Sequence, residues 1–188
     1  MEVILASRSP RRLSLLQAAG LAVETRPTHI DESARAGESV EQLVLRLARC
    51  KAEACPVQTR PVIAADTLVA LDGRALGQPR DLEEARRMLH ALSGRTHEVL
   101  TGVCVRKGKC TQLARVTTQV RFRALTDDEI DTYLAHNEVL DKAGAYAIQQ
   151  GAAGFVIGIE GPLDNVIGLP VHTTLQLLRR VHSRESKS

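Results

Sequence analysis

Short apolar runs carrying β-branched residues alternate along this chain with segments whose apolar positions recur at helical spacing, and that alternation confines it to an α/β fold. Val3-Ile4-Leu5 reads as a strand, Pro10–Ala19 as a helix, Leu21–Arg26 as a strand and Val40–Ala54 as a helix. Val62-Ile63-Ala64-Ala65 is a buried strand that ends before Asp66. A separate short strand, Leu68–Leu71, runs into a turn at Asp72-Gly73. Asp81, with Glu84 three residues on, opens the next helix, and Gly94 closes it. From about His97 to Phe122 the pattern predicts two long strands joined at Lys107-Gly108-Lys109, so the sheet is mixed. A helix follows from Thr126, and a last one spans Val171 to Val181 after the Gly-rich stretch from Gly144 to Gly161.

A chain of 188 residues, 44% of them hydrophobic, is long enough to bury a core of its own. With no repeat or linker in view it is read as one domain over residues 1–188, with a frayed tail at 183–188. Lys and Arg total 25 against 22 acidic residues, a net charge of +3 that is spread along the sequence. That balance, with aromatics at 2% and no Trp, disfavours a nucleic-acid binder. The start Met1-Glu2-Val3-Ile4-Leu5 has neither the basic nor the apolar region of a signal peptide, and no stretch is long enough to span a bilayer. The reading is therefore soluble and cytoplasmic, with no membrane partner. Cys50, Cys55, Cys104 and Cys110 lack zinc-site spacing and read as reduced thiols.

Ser7-Arg8-Ser9-Pro10-Arg11-Arg12 sits between the first strand and the first helix, with Ser9 as the N-cap and Pro10 as the first helical residue. Capping accounts for Ser and Pro but not for the arginines, because cations oppose the helix dipole in a first turn. A bound phosphate would reverse the sign, since free N–H groups and guanidinium forks both suit its oxygens. A solvated basic turn is the competing reading. Asp66, placed at the carboxyl end of a buried strand, stands where α/β sheets bind ligands, and a carboxylate there serves as a proton acceptor or a metal ligand. Thr67 offers a hydroxyl, or simply starts the next strand. Asp31 and Glu32 form a second acidic pair suited to a cation, or a solvated turn. His97, opening a long strand, reads as a packed residue rather than a catalyst.

Five pieces in order, Leu5-Ala6-Ser7-Arg8-Ser9-Pro10-Arg11-Arg12, Arg46-Leu47-Ala48 leading to Lys51-Ala52, Ala65-Asp66-Thr67, Ser93-Gly94-Arg95-Thr96-His97, and Asp141-Lys142-Ala143-Gly144-Ala145-Tyr146-Ala147-Ile148-Gln149, together with Val166-Ile167-Gly168-Leu169-Pro170, resemble the Maf family nearly end to end. The resemblance implies an elongated, mixed, ITPase-like sheet flanked by helices, in two lobes with a central cleft. It also implies homodimers and a nucleoside triphosphate pyrophosphatase dependent on Mg²⁺ or Mn²⁺. Carried over by position, it makes Asp66 the catalytic acceptor and, with Glu32, a metal ligand. It makes Ser7, Arg11, Arg12 and Lys51 phosphate-binding, and Arg11, Thr67 and Gln149 specificity positions. Ser-Pro-Arg-Arg, Asp-Thr and Tyr-x-Ile-Gln resemble the branch acting on dTTP and UTP, and CTP or modified pyrimidine nucleotides fall within the same reading. The alternative branch acts on 7-methyl-GTP. The resemblance further implies a role in nucleotide-pool sanitation. A non-enzymatic regulator of septum formation is the alternative from another class.

Lys142 is read as a phosphate contact, with a salt bridge to Asp141 as its competing role. Where the family generally has Gly-Lys-Pro, this chain has Gly77-Gln78-Pro79, a lost ammonium for which Arg80 either substitutes or points to solvent.

Overall fold

The structure, a computed structural model, describes residues 1–185. Among these, the strands are β1 (Glu2–Leu5), β2 (Ala22–Thr25), β3 (Val62–Leu71), β4 (Arg74–Leu76), β5 (Thr96–Lys107), β6 (Cys110–Phe122) and β7 (Val156–Glu160). The helices are α1 (Pro10–Ala18), α2 (Val40–Ala54), α3 (Leu82–Leu92), α4 (Asp127–His136), α5 (Leu163–Ile167) and α6 (Val171–Glu185). The strands form one seven-stranded sheet in the order β2-β1-β3-β5-β6-β7, with β4 paired to β3. β1 runs parallel to β2 and β3, whereas β3–β4 and β6–β7 are antiparallel, so the sheet is mixed, with helices packed on its strands as the α/β alternation requires.

Local chemistry sets most boundaries. Ser9 accepts from the Arg12 N–H at 3.4 Å and Pro10 begins α1. Ser39 with Gln42, and Thr126 with Glu129, form capping boxes at α2 and α4, and Asp81 accepts from the Glu84 N–H at 2.7 Å at α3. Asp72 (φ 51°) and Gly73 (φ 72°) make the left-handed pair that closes the β3–β4 hairpin.

The sequence divides β3 into two strands around Asp66. The structure corrects this: β3 is a single ten-residue strand and Asp66 and Thr67 are inside it. α6 continues to Glu185, so residues 183–185 of the expected frayed tail are helical, while 186–188 lie outside the described residues.

The chain forms two compact units. The first comprises Met1–Thr67, Thr101–Val116 and the residues from Gly168 onward; the second comprises Leu68–Leu100 and Thr117–Ile167. In the first unit, strand alternation sorts the core into two layers. Val3, Leu5, Ile63, Ala65, Val103 and Val105 pack with Leu16 of α1 and with Leu177, Leu178 and Val181 of α6. The intervening residues Ile4, Ala6, Val62, Ala64 and Cys104 pack with Ala48 and Ala52 of α2. Consecutive Cβ atoms point to opposite faces, so each strand serves both layers. At Gly102 the α2 backbone comes so close that an added Cβ would lie 2.3 Å from the Val44 carbonyl oxygen.

In the second unit the chain's two Phe and two Tyr residues all meet in the core. Phe122 lies edge-on to Tyr146 and Phe155, at centroid distances of 4.9 and 5.9 Å, and Tyr133 lies 5.1 Å from Phe155. His97 joins this cluster, with its Nε2 2.7 Å from the Tyr146 hydroxyl.

Candidate active site

Parallel pairing of β1 with β3 ends at Leu5 opposite Ile63, and β3 continues past that point. Asp66 and Thr67 therefore flank the carboxyl end of β1, although they are inside β3. The strand end expected at Asp66 is therefore that of the neighbouring strand, not of its own.

Alternation then sends the two side chains to opposite layers. Asp66 shares the face of Val62 and Ala64, over which α2 lies. Its buried carboxylate meets the Lys51 ammonium of α2, Nζ to Oδ1 2.6 Å. Lys51 is in the last turn of α2, where the helix dipole favours a cation, and its Nζ also reaches Glu32 Oε1 at 2.9 Å. Glu32 is delivered by the loop before α2. Arg46 ties that loop down, with Nε and Nη2 on Glu38 at 2.6 and 2.8 Å and Nη2 on the Ser33 carbonyl at 2.8 Å. The Arg46 fork holds the Glu38 carboxyl at about 2. Asp31 spends its Oδ1 on the Ser33 N–H at 2.9 Å, a local turn, so only the second of the acidic pair turns to Lys51.

Thr67 shares the face of Ile63 and Ala65, where α1 and α6 lie. Its Oγ1 accepts from Arg12 Nη2 at 3.1 Å. Arg12 also donates from Nε to the Gly168 carbonyl at 2.9 Å and from Nη1 to Ser7 Oγ at 3.2 Å. Ser7, itself buried, accepts a second bond from the Ser9 N–H at 3.2 Å. Desolvation pushes the Arg12 pKa below its ordinary value, Asp66 raises it, neighbouring Arg11 lowers it and Glu32 raises it. A desolvated guanidinium beside a second cation favours an incoming anion.

Of the residues expected from the sequence, the first unit thus brings together Ser7, Arg12, Glu32, Lys51, Asp66 and Thr67. Arg11 is half-buried on the first turn of α1. Lys142 and Gln149 belong to the second unit. The buried Lys142 ammonium donates to Asp141, the salt-bridge role, while Gln149 is exposed in a turn. Gln78 donates from Nε2 to the Asp141 carbonyl at 3.1 Å, and Arg80, its side chain 79% exposed, pairs with Glu84 and points to solvent. His97 is packed, as expected.

Thr101 and the Gly168 carbonyl are the site groups that sequence reasoning assigned no role. Thr101 is buried mid-strand in β5 with its Oγ1 2.9 Å from that of Thr67. Its local sequence, Leu-Thr-Gly, carries no signal that separates it from ordinary strand filling.

The described residues contain no group of three His, Cys, Asp or Glu side chains arranged for a metal ion. Asp66 and Glu32 do converge on one ammonium, so two hard oxygen donors already surround a single positive centre. That donor set fits Mg²⁺ or Mn²⁺, which take one or two carboxylates and complete their shell with phosphate oxygens and water.

The fold and these side chains define a mixed α/β protein with paired cations and carboxylates at the end of a parallel strand. The chain belongs to the Maf family, whose model, described as Maf-like protein, matches residues 2–181. A relative from Anaeromyxobacter sp. (strain Fw109-5), named dTTP/UTP pyrophosphatase, is 55% identical over 183 residues, covering 95% of this chain and 88% of its own. A relative of the same name from Chromobacterium violaceum is 48% identical over 183 residues, covering 94% of this chain and 92% of its own. Among solved structures, the Staphylococcus aureus Ham1 protein aligns over 98% of this chain and 100% of its own, with 16% identity and a TM-score of 0.48. No helix among the described residues is long and apolar enough to cross a membrane.

Proposed function

We propose that this protein hydrolyses dTTP and UTP to the monophosphate and pyrophosphate. The observation that carries the reading is the pairing of Asp66 with Lys51, 2.6 Å apart, next to the desolvated Arg12 guanidinium. Base and cation stand together there, which is what attack of water on a polyanion requires. The names of the relatives support the pyrimidine substrates.

Ser7, Arg11, Arg12 and the N-terminus of α1 bind and orient the triphosphate. Lys51 neutralises Asp66 and Glu32 in the free protein and turns to a phosphate oxygen when substrate arrives. Asp66 accepts the proton of the attacking water, and pyrophosphate leaves from the α-phosphorus. Asp66 and Glu32 would hold a divalent cation, which would supply charge neutralisation to the polyphosphate.

Initial rates on dTTP, UTP, CTP, 7-methyl-GTP and ATP with Mg²⁺ or Mn²⁺ test the assignment. The two named pyrimidines are expected to lead. Preference for 7-methyl-GTP overturns the branch, and no turnover of any of the five overturns the activity.

A further inference from the structure

Residues 26–39 join β2 to α2 with neither strand nor helix among them, yet this loop carries Glu32, whose carboxylate reaches Lys51 Nζ at 2.9 Å. A long irregular connection keeps one side chain in place only where its backbone is tied down around that residue. Ser33, next to Glu32, is tied through both of its backbone groups. Its N–H donates to Asp31 Oδ1 at 2.9 Å, and its carbonyl accepts from Arg46 Nη2 at 2.8 Å. On the other side of Glu32, Thr28 Oγ1 donates to the Lys51 carbonyl at 3.2 Å. The loop is thus fastened on both sides of Glu32 to α2, the helix that carries Lys51.

Arg46 is in turn aimed by Glu38. Nε and Nη2 meet the two carboxylate oxygens side-on at 2.6 and 2.8 Å, which leaves the second Nη2 hydrogen for the Ser33 carbonyl. The Arg46 and Glu38 side chains are 16% and 9% exposed, so the pair forms largely out of water, and its two charges cancel. A cation at Glu32 therefore feels little net field from it. What the pair does for such a cation, it does by holding the loop.

We infer that Arg46 and Glu38 are positioning residues that hold Glu32 where it can share a divalent cation with Asp66. The inference rests on the cation-binding part of the reading above and deepens it.

Mn²⁺ bound to the free protein, read by electron paramagnetic resonance without nucleotide, separates positioning from charge. Arg46→Met removes a positive charge and Glu38→Gln a negative one, so an effect of charge alone tightens Mn²⁺ binding in the first and weakens it in the second. Positioning weakens it in both, by about tenfold, the scale for groups that orient a metal ligand from behind. Arg46→Lys keeps the charge but not the side-on fork, and is expected to resemble Arg46→Met. In a Glu32→Gln background none of these substitutions is expected to change Mn²⁺ affinity further, whereas a general loosening of the fold adds to the loss. Tighter Mn²⁺ binding in Arg46→Met, additive losses in the double variants, or no Mn²⁺ binding by the wild type overturns the inference. Turnover is scored apart from this: a wild-type protein that binds Mn²⁺ but hydrolyses none of the nucleotides overturns the activity and leaves the positioning roles to the Mn²⁺ titration.

Discussion

Asp66 and Thr67 are consecutive on β3, yet the Asp66 carboxylate meets Lys51 of α2 at 2.6 Å while the Thr67 hydroxyl meets Arg12 of α1 at 3.1 Å, on the other face of the sheet. The period of two in a strand sends these consecutive side chains to two different cations. Asp66→Asn keeps the size and face of the side chain and leaves Lys51 its partner Glu32. We expect kcat to fall at least about 100-fold, the scale of general-base catalysis, with the thermal melting midpoint held within a few degrees of wild type. Initial rates beside a circular-dichroism melt check both halves of the expectation.

Glu32 approaches Lys51 from an exposed loop, its side chain 57% accessible, and in the proposed mechanism it would hold the divalent cation. Glu32→Gln removes one charge from the donor set. The Mg²⁺ concentration giving half-maximal rate is expected to rise about tenfold, with a smaller change in kcat at saturating metal. A metal titration of initial rates reads both.

His97 supplies a pH dependence of stability. Burial lowers its pKa to about 4 from an ordinary 6.5, and its Nδ1 is buried with no partner among the described residues. The folded state therefore excludes a proton that the unfolded chain accepts. Stability is full above about 6.5 and falls as pH drops from there towards 4, by at most about 3 kcal/mol. Urea titrations across that interval are expected to show a shallower slope with pH in His97→Phe than in wild type, whatever the variant's absolute stability.

Arg106 on β5 closes the C-terminal end of α2. Its Nε donates to the Ala52 carbonyl at 3.1 Å, and its Nη2 donates to those of Cys55 and Val57 at 2.6 and 2.9 Å. Arg106→Met leaves these acceptors without their donor in a buried setting, and we expect a loss of about 3 kcal/mol in unfolding free energy by urea denaturation.

Helix starts were legible because they are local chemistry: Ser9-Pro10, Asp81 with Glu84 and Thr126 each announce a cap. The continuity of β3 was not legible. Asp is a poor strand former, and Asp66 looks like a terminator until tertiary pairing overrides that preference. β7 was hidden because Gly154, Gly158 and Gly161 give Val156–Glu160 the look of a loop. Within the site, Arg12, Lys51 and Asp66 could be picked out as charged residues in suggestive places. Thr101 and the Gly168 carbonyl could not, because their importance lies in partners 34 or more residues away.

If the Asp66 site cleaves at the α-phosphorus, the position of the broken bond shows it. Phosphorus NMR of dTTP incubated with the protein and Mg²⁺ is expected to show dTMP and pyrophosphate growing in equal amounts, and neither with Asp66→Asn. Formation of dTDP and orthophosphate would place the cleavage at the γ-phosphorus, and undiminished pyrophosphate release by the variant would remove Asp66 from the reaction.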